Sequence, residues 1–243
     1  MLVRHHAKGW KIISHYTHAL LAGKIGYRLK DKMLEFNRLE TLTAIINHDD
    51  YLIDFDETNY LTDAGTPRDF MMDGGNAKDD IVHAKSLYNE TLQKSQWISI
   101  LVSRHIEFLY QDSSDNEMQL FLKKMYEKRK EQRKLYGLNL EMENQLYSVL
   151  RFCDRLSLII CGEEVPMKGR KLEINQSIDD ETYFVSFGDE GKYCIEPWLF
   201  SENSFEVDYE YKILEQAKFS TNKELQQCIA DAPVQLQKII VSR

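Results

Sequence analysis

The stretch with the most chemistry per residue is Ile45-Ile46-Asn47-His48-Asp49-Asp50. It closes an apolar run with a nitrogen donor followed directly by an oxygen donor, a compact metal half-site. His-Asp pairs arise by chance in any acidic chain, so this one gains meaning only from partners elsewhere. Four residues are of the right type to complete it: His18, His83, His105 and Asp154. Imidazole and carboxylate together suit a divalent transition ion (Fe, Mn, Co, Ni or Zn) better than Ca or Mg.

Each donor falls on a separate predicted helix. Ser14 is a plausible N-cap for a helix from about His15 to Lys30, with His18, Leu21, Ala22 and Ile25 on one face. A second helix is expected from about Met33 to Asp49, its apolar stripe delivering His48 and Asp49 to the core at its end. His83 and Leu87 share a face of a helix from about Lys78 to Gln93. On the next helix, from about Gln96 to Tyr110, His105 is the only polar member of the stripe Ile98, Leu101, Val102, His105 and Leu109. Residues 114–136 form a charged helix whose lysines and arginines alternate with Glu127 and Glu131. A solvated face explains these better than a phosphate strip. The helix from about Asn139 to Cys161 is apolar nearly all round and should be central. Asp154 lies inside it, and a buried carboxylate costs several kcal/mol, by order of magnitude, unless paired or on a metal.

Other stretches bound the answer. Residues 50–77 read as a long acidic loop, with Asp54, Asp56, Glu57, Asp63, Asp69 and Asp73 among Gly65, Pro67, Gly74 and Gly75; Tyr51, Phe55, Tyr60 and Phe70 should pack it down. After Cys161-Gly162 the pattern turns to strands: Thr182–Phe187, Lys192–Phe200 and the alternating run 205–213. Thr221 and Glu224 form a capping box for a short helix ending near Ala232-Pro233. Leu2–His5 and Trp10–Ile13 are two short N-terminal strands. The expected architecture is mainly α: a helical metal-binding domain over 1–165 and a small β-rich subdomain over 166–243, which the N-terminal strands could join.

The chain has 243 residues, a formal charge of -8 and four cysteines without C-x-x-C spacing. These predict a cytoplasmic protein with reduced thiols, binding neither nucleic acid nor membrane. No apolar run approaches the roughly 20 residues that span a bilayer, and no secretory signal is evident. Gly74-Gly75 lacks a P-loop context, and no Ser or Cys nucleophile motif occurs. Oligomeric state is left open.

The order His18, His48-Asp49, His83, His105, Asp154 resembles the H…HD…H…H…D pattern of the HD superfamily of metal-dependent hydrolases. Ser14-His15-Tyr16-Thr17-His18, Asn47-His48-Asp49-Asp50, Gly65-x-Pro67-x-Asp69-Phe70, Ser103-x-His105 and Asp154-Arg155-Leu156-Ser157-Leu158 look like an uncharacterised bacterial HD-like family catalogued as a domain of unknown function. His15 stands where that family usually has Gln, and reads either as a ligand or as a hydrogen-bond partner. The resemblance implies an all-helical core with metal at its centre. His18, His48 and Asp154 would hold one ion, His83 and His105 a second, with Asp49 bridging; two such ions, roughly 3.5–4 Å apart, clamp a phosphoryl group.

The expected activity is hydrolysis of phosphomonoesters or phosphodiesters of a small molecule at a one- or two-metal site. Asp49, Asp50 and Arg155 are expected in the catalytic machinery: Asp50 to orient a ligand or begin the loop, Arg155 (with Arg104 nearby) to hold a phosphate or form a structural ion pair. Each donor also has a plainer reading. His18 and His105 could be satisfied core histidines, His48-Asp49 a helix C-terminal pair, Asp154 a partner of Arg151 or Arg155, and His83 a half-exposed polar residue. Two other functions compete: a di-iron HD-type oxygenase cleaving C–C or C–P bonds, and a non-catalytic scaffold or ligand sensor with a relic site.

Overall fold

The computed structural model describes residues 1–50, 60–70, 77–167, 169–179, 181–188 and 191–243. The N-terminal strands β1 (Leu2–His6) and β2 (Gly9–Ile13) form a hairpin. Four helices follow: α1 (His15–Tyr27), α2 (Arg38–Asn47), which ends just before His48-Asp49, α3 (Ala77–Lys94) and α4 (Gln96–Tyr110). The charged α5 (Asn116–Tyr136) and central α6 (Leu140–Cys161) follow. The remainder is β3 (Leu172–Ile178), β4 (Glu181–Phe187), β5 (Tyr193–Glu196), β6 (Ser204–Leu214), α7 (Asn222–Asp231) and β7 (Val234–Ser242).

The strands make one seven-stranded sheet in the order β1-β2-β6-β7-β5-β4-β3. Every pairing is antiparallel except β5 with β7. This corrects the expectation of a mainly α, HD-like helical core with a small β-rich appendage: the fold is mixed, and the helices pack on a large sheet. The sequence hides the sheet because β7 inverts the usual alternation. Val234, Leu236 and Ile240 are exposed, while Ile239 and Val241 are buried, so the strand shows no clean period of two. Yet β7 pairs with β6 over nine residues, Ser204↔Ser242 through Lys212↔Val234, and touches β5 on its other side. Without β7, nothing connects the N-terminal strands and β6 to β3–β5. The hairpin joins β6 through Trp10↔Leu214. Gly9 permits that approach, since a Cβ there would sit 2.1 Å from the Leu214 carbonyl oxygen.

The site depends on how α1 meets α2. Ser14 caps α1 by accepting from the Thr17 N–H, as its position predicts. The predicted helix over 33–49 is interrupted. A short 3-10 turn (Asp31–Leu34) precedes Asn37, whose left-handed backbone (φ 45°) redirects the chain into α2. On α1, Gly23 lets α2 lie close, because a Cβ there would come 2.4 Å from Ile46 Cγ1. α6 supplies the other wall: Leu150, Phe152, Cys153, Leu156, Ile159 and Ile160 are fully buried in a core shared by helices and sheet. Each such side chain contributes roughly 1.5–3 kcal/mol. Residues 60–70 pack beside β1, where Asp69 accepts from the Val3 N–H and pairs with Arg4. No described helix is long and apolar enough to cross a membrane.

Candidate metal centre

α1 brings in His18, the end of α2 brings in His48 and Asp49, and α6 brings in Asp154. One ligand atom from each of these four residues lies within 4.8 Å of the others. His18 and His48 are wholly buried, Asp49 nearly so, and Asp154 keeps 15% of its side chain exposed. The cluster therefore opens to solvent on the α6 side.

Hydrogen bonds fix how both histidines present themselves. His48 Nδ1–H donates to the Ile45 carbonyl at 2.7 Å, so Nε2 is the free nitrogen. For His18, Ser157 fixes the ring. The Ser157 hydroxyl donates its one proton to the Asp154 carbonyl at 2.8 Å and so must accept from His18 Nδ1–H, 3.1 Å away. Both Nε2 atoms then face carboxylates: His18 Nε2 is 3.1 Å from Asp49 Oδ2, and His48 Nε2 is 3.1 Å from Asp154 Oδ1 and 3.4 Å from Asp49 Oδ2. Tying the far ring nitrogen to a protein oxygen is the usual support of a metal-ligating histidine.

One pair of atoms decides what the arrangement fits. His48 Nε2 and Asp154 Oδ1 are both buried, both without a hydrogen-bond partner, and 3.1 Å apart. They face each other at ion-pair distance without the alignment of a hydrogen bond. Orphaned buried polar atoms are rare in folded proteins, and two nitrogen and two oxygen donors converging on one point fit a divalent transition ion. Without an ion, a proton takes its place. Burial opposes charge on His48, but the Asp49 and Asp154 carboxylates outweigh it and hold its pKa well above 6.5. Burial likewise pushes the carboxylates up, and His48 more than reverses this, lowering both.

The chain belongs to an uncharacterised protein family. Residues 1–216 match the family described as Protein of unknown function (DUF3891). No curated protein and no solved structure matches. The match is consistent with the expected domain of unknown function. Nothing in the match ties these DUF3891 residues to the HD superfamily or to hydrolases, and the seven-stranded sheet removes the all-helical description.

The other predicted residues are distributed unevenly. His105, nearly buried on α4, adjoins the cluster, its Nε2 3.5 Å from Asp49 Oδ1. His83, partly buried on α3, does not belong to the four-residue group. Asp50 is bonded by the Asn47 amide, and burial raises its pKa, with Lys94 and Glu90 its nearest charged influences. Arg155 faces Glu164 at 3.5 Å, and Arg104 pairs with Glu107 at 2.8 Å, so both settle into ion pairs. His15 lies against the Met1 amine, with its ring edge-on to Phe70. The loop acids Asp54, Asp56, Glu57 and Asp73 fall outside the described residues. Sequence reasoning gave no role to Ser157 or Tyr147. Ser157 follows Asp154 by three residues, so helical spacing alone places it beside that ligand. Tyr147, whose hydroxyl is 3.4 Å from His105 Nδ1, had no comparable signal.

Proposed function

We propose that the protein hydrolyses phosphomonoester or phosphodiester bonds of a small molecule with a divalent transition ion held by His18, His48, Asp49 and Asp154. The carrying observation is the unbonded pair of His48 Nε2 and Asp154 Oδ1. An ion in this position supplies positive charge to a phosphoryl oxygen and lowers the pKa of a water toward neutrality. The chain's own groups do the rest. Ser157 and the Ile45 carbonyl hold the two imidazoles in the Nδ1–H form, leaving Nε2 as donor. Asp154, with 15% of its side chain exposed, would be the donor nearest to solvent.

The test is metal content of protein purified without added metal or a histidine tag, followed by phosphate release from a panel of phosphomonoesters and phosphodiesters. Bound transition metal and phosphate release, both lost in His48→Ala, are expected. Metal-loaded protein that releases no phosphate from any member sinks the reading.

A second reading rests on Asp49. It presents Oδ2 to His18 and His48 and Oδ1 to His105, so His105 would join the donors if a second ion were held. Two bound irons with dioxygen consumption would favour oxidative C–C or C–P cleavage. No metal uptake on titration would favour the scaffold or sensor.

A further inference from the structure

Tyr147, Arg151 and Asp154 stand at i, i+4 and i+7 on α6, one stripe of the helix. Asp154 is the exposed edge of the cluster, so Arg151 lies one turn up the same face. Ring contacts tie it to the site. Its guanidinium carbon is 4.2 Å from the centroid of Phe108, which is 6.3 Å from the Tyr147 and His105 rings. Phe108 is itself 37% exposed.

Arg151 differs from the arginines around it. Arg104 pairs with Glu107, Arg129 with Glu107 and Glu143, Arg133 with Glu143, and Arg155 with Glu164. Among the described residues, no ion pair or hydrogen bond involves Arg151, and its guanidinium lies against the Phe108 ring. Asp154, three residues on, turns to His48 instead. In a chain of net charge -8, Arg151 is a guanidinium beside a metal-type cluster with no carboxylate partner among the described residues. A guanidinium resting against a ring keeps N–H groups that can match phosphoryl oxygens two at a time.

We propose that Arg151, steadied by Phe108, holds a phosphoryl oxyanion of the ligand bound at the cluster. This rests on the metal reading above and adds the residue that selects the anion. The experiment titrates manganese, then inorganic phosphate, into the full chain and into Arg151→Gln and Arg151→Lys, by calorimetry. Expected is unchanged manganese binding in all three, with phosphate binding weakened roughly tenfold or more in Arg151→Gln and less in Arg151→Lys, which keeps the charge without the fork.

Equal phosphate binding in parent and Arg151→Gln overturns the proposal, as does manganese-loaded parent that binds no phosphate. Loss of manganese together with phosphate in Arg151→Gln also overturns it, by making the residue structural. Acetate bound in place of phosphate with the same sensitivity overturns the phosphoryl assignment. If the parent takes up no manganese, the metal reading fails by itself. Phosphate binding by the metal-free chain then decides Arg151: lost in Arg151→Gln it upholds the anion site, and absent from the parent it removes it.

Discussion

α6 carries two buried charged clusters, and they are built on opposite plans. Near its start, Glu143 is 1% exposed and meets the guanidinium groups of Arg129 and Arg133, while Glu107 also reaches Arg129. Arg129 Nε makes no hydrogen bond, but it is one of five donors on a group whose charge is met, 3.3 Å from Glu143. Three turns on, Asp154 and Asp49 surround histidines whose free nitrogens have only a proton to offer. In the first cluster each carboxylate meets guanidinium groups of the chain. The second gathers two carboxylates on two imidazoles, the donor set of a candidate metal site, and that difference in donor chemistry, more than burial or charge alone, sets the two apart.

The sharpest way to break the comparison is to remove one partner from the brace. Glu143→Gln leaves Arg133 without its carboxylate and Arg129 with Glu107 alone, and should cost about 3 kcal/mol in denaturant unfolding. Metal stoichiometry of the folded fraction should stay unchanged. If stability barely moves, the brace is not the closed network described. Asp49→Asn should do the reverse. Metal affinity should fall roughly a hundredfold to a thousandfold, one quarter of the ~10–16 kcal/mol typical of a four-ligand site. Calorimetric titration at fixed pH checks it, and retained affinity would exclude Asp49 as ligand.

Ser157→Ala probes the support of His18. Loss of the hydroxyl frees the imidazole to change tautomer, and metal affinity should drop about 10- to 100-fold, measured in the same titration. An unchanged affinity would show that His18 is held some other way.

The smallest effect is set by pH. His48's raised pKa means that metal must displace a proton, so apparent affinity should weaken about tenfold for each pH unit below that value. In metal-free protein the same shift contributes stability that is complete below 6.5 and lost as pH rises through the raised value. The lowered Asp49 and Asp154 contribute stability above 3.8 that is lost as pH falls through their depressed values. Metal-free protein should therefore be most stable between those limits, and added metal should restore what is lost on the alkaline side. Thermal melts across pH, with and without metal, test both signs.

The four donors of the centre were legible because each is a polar residue on an otherwise apolar helical stripe, which burial makes expensive without a partner. The failures have equally local causes. His83 lies on a half-polar helix, so its periodicity says little about direction. Arg155 is next to Asp154 in sequence but about 100° around the helix, whereas Arg151 shares its face. The sheet was missed because β3 is largely polar and β7 turns aliphatic residues outward; pairing partners more than 20 residues apart in sequence leave no periodic trace.

The union of β2 with β6 has a consequence in time. The Trp10 indole donates to the Ala217 carbonyl across 207 residues. At a synthesis rate of about 5–20 residues per second, the N-terminal hairpin waits roughly 10–40 s for its neighbour to be made. Until β6 is made, β2 has no strand on its second edge, and an unpaired edge is a template for aggregation.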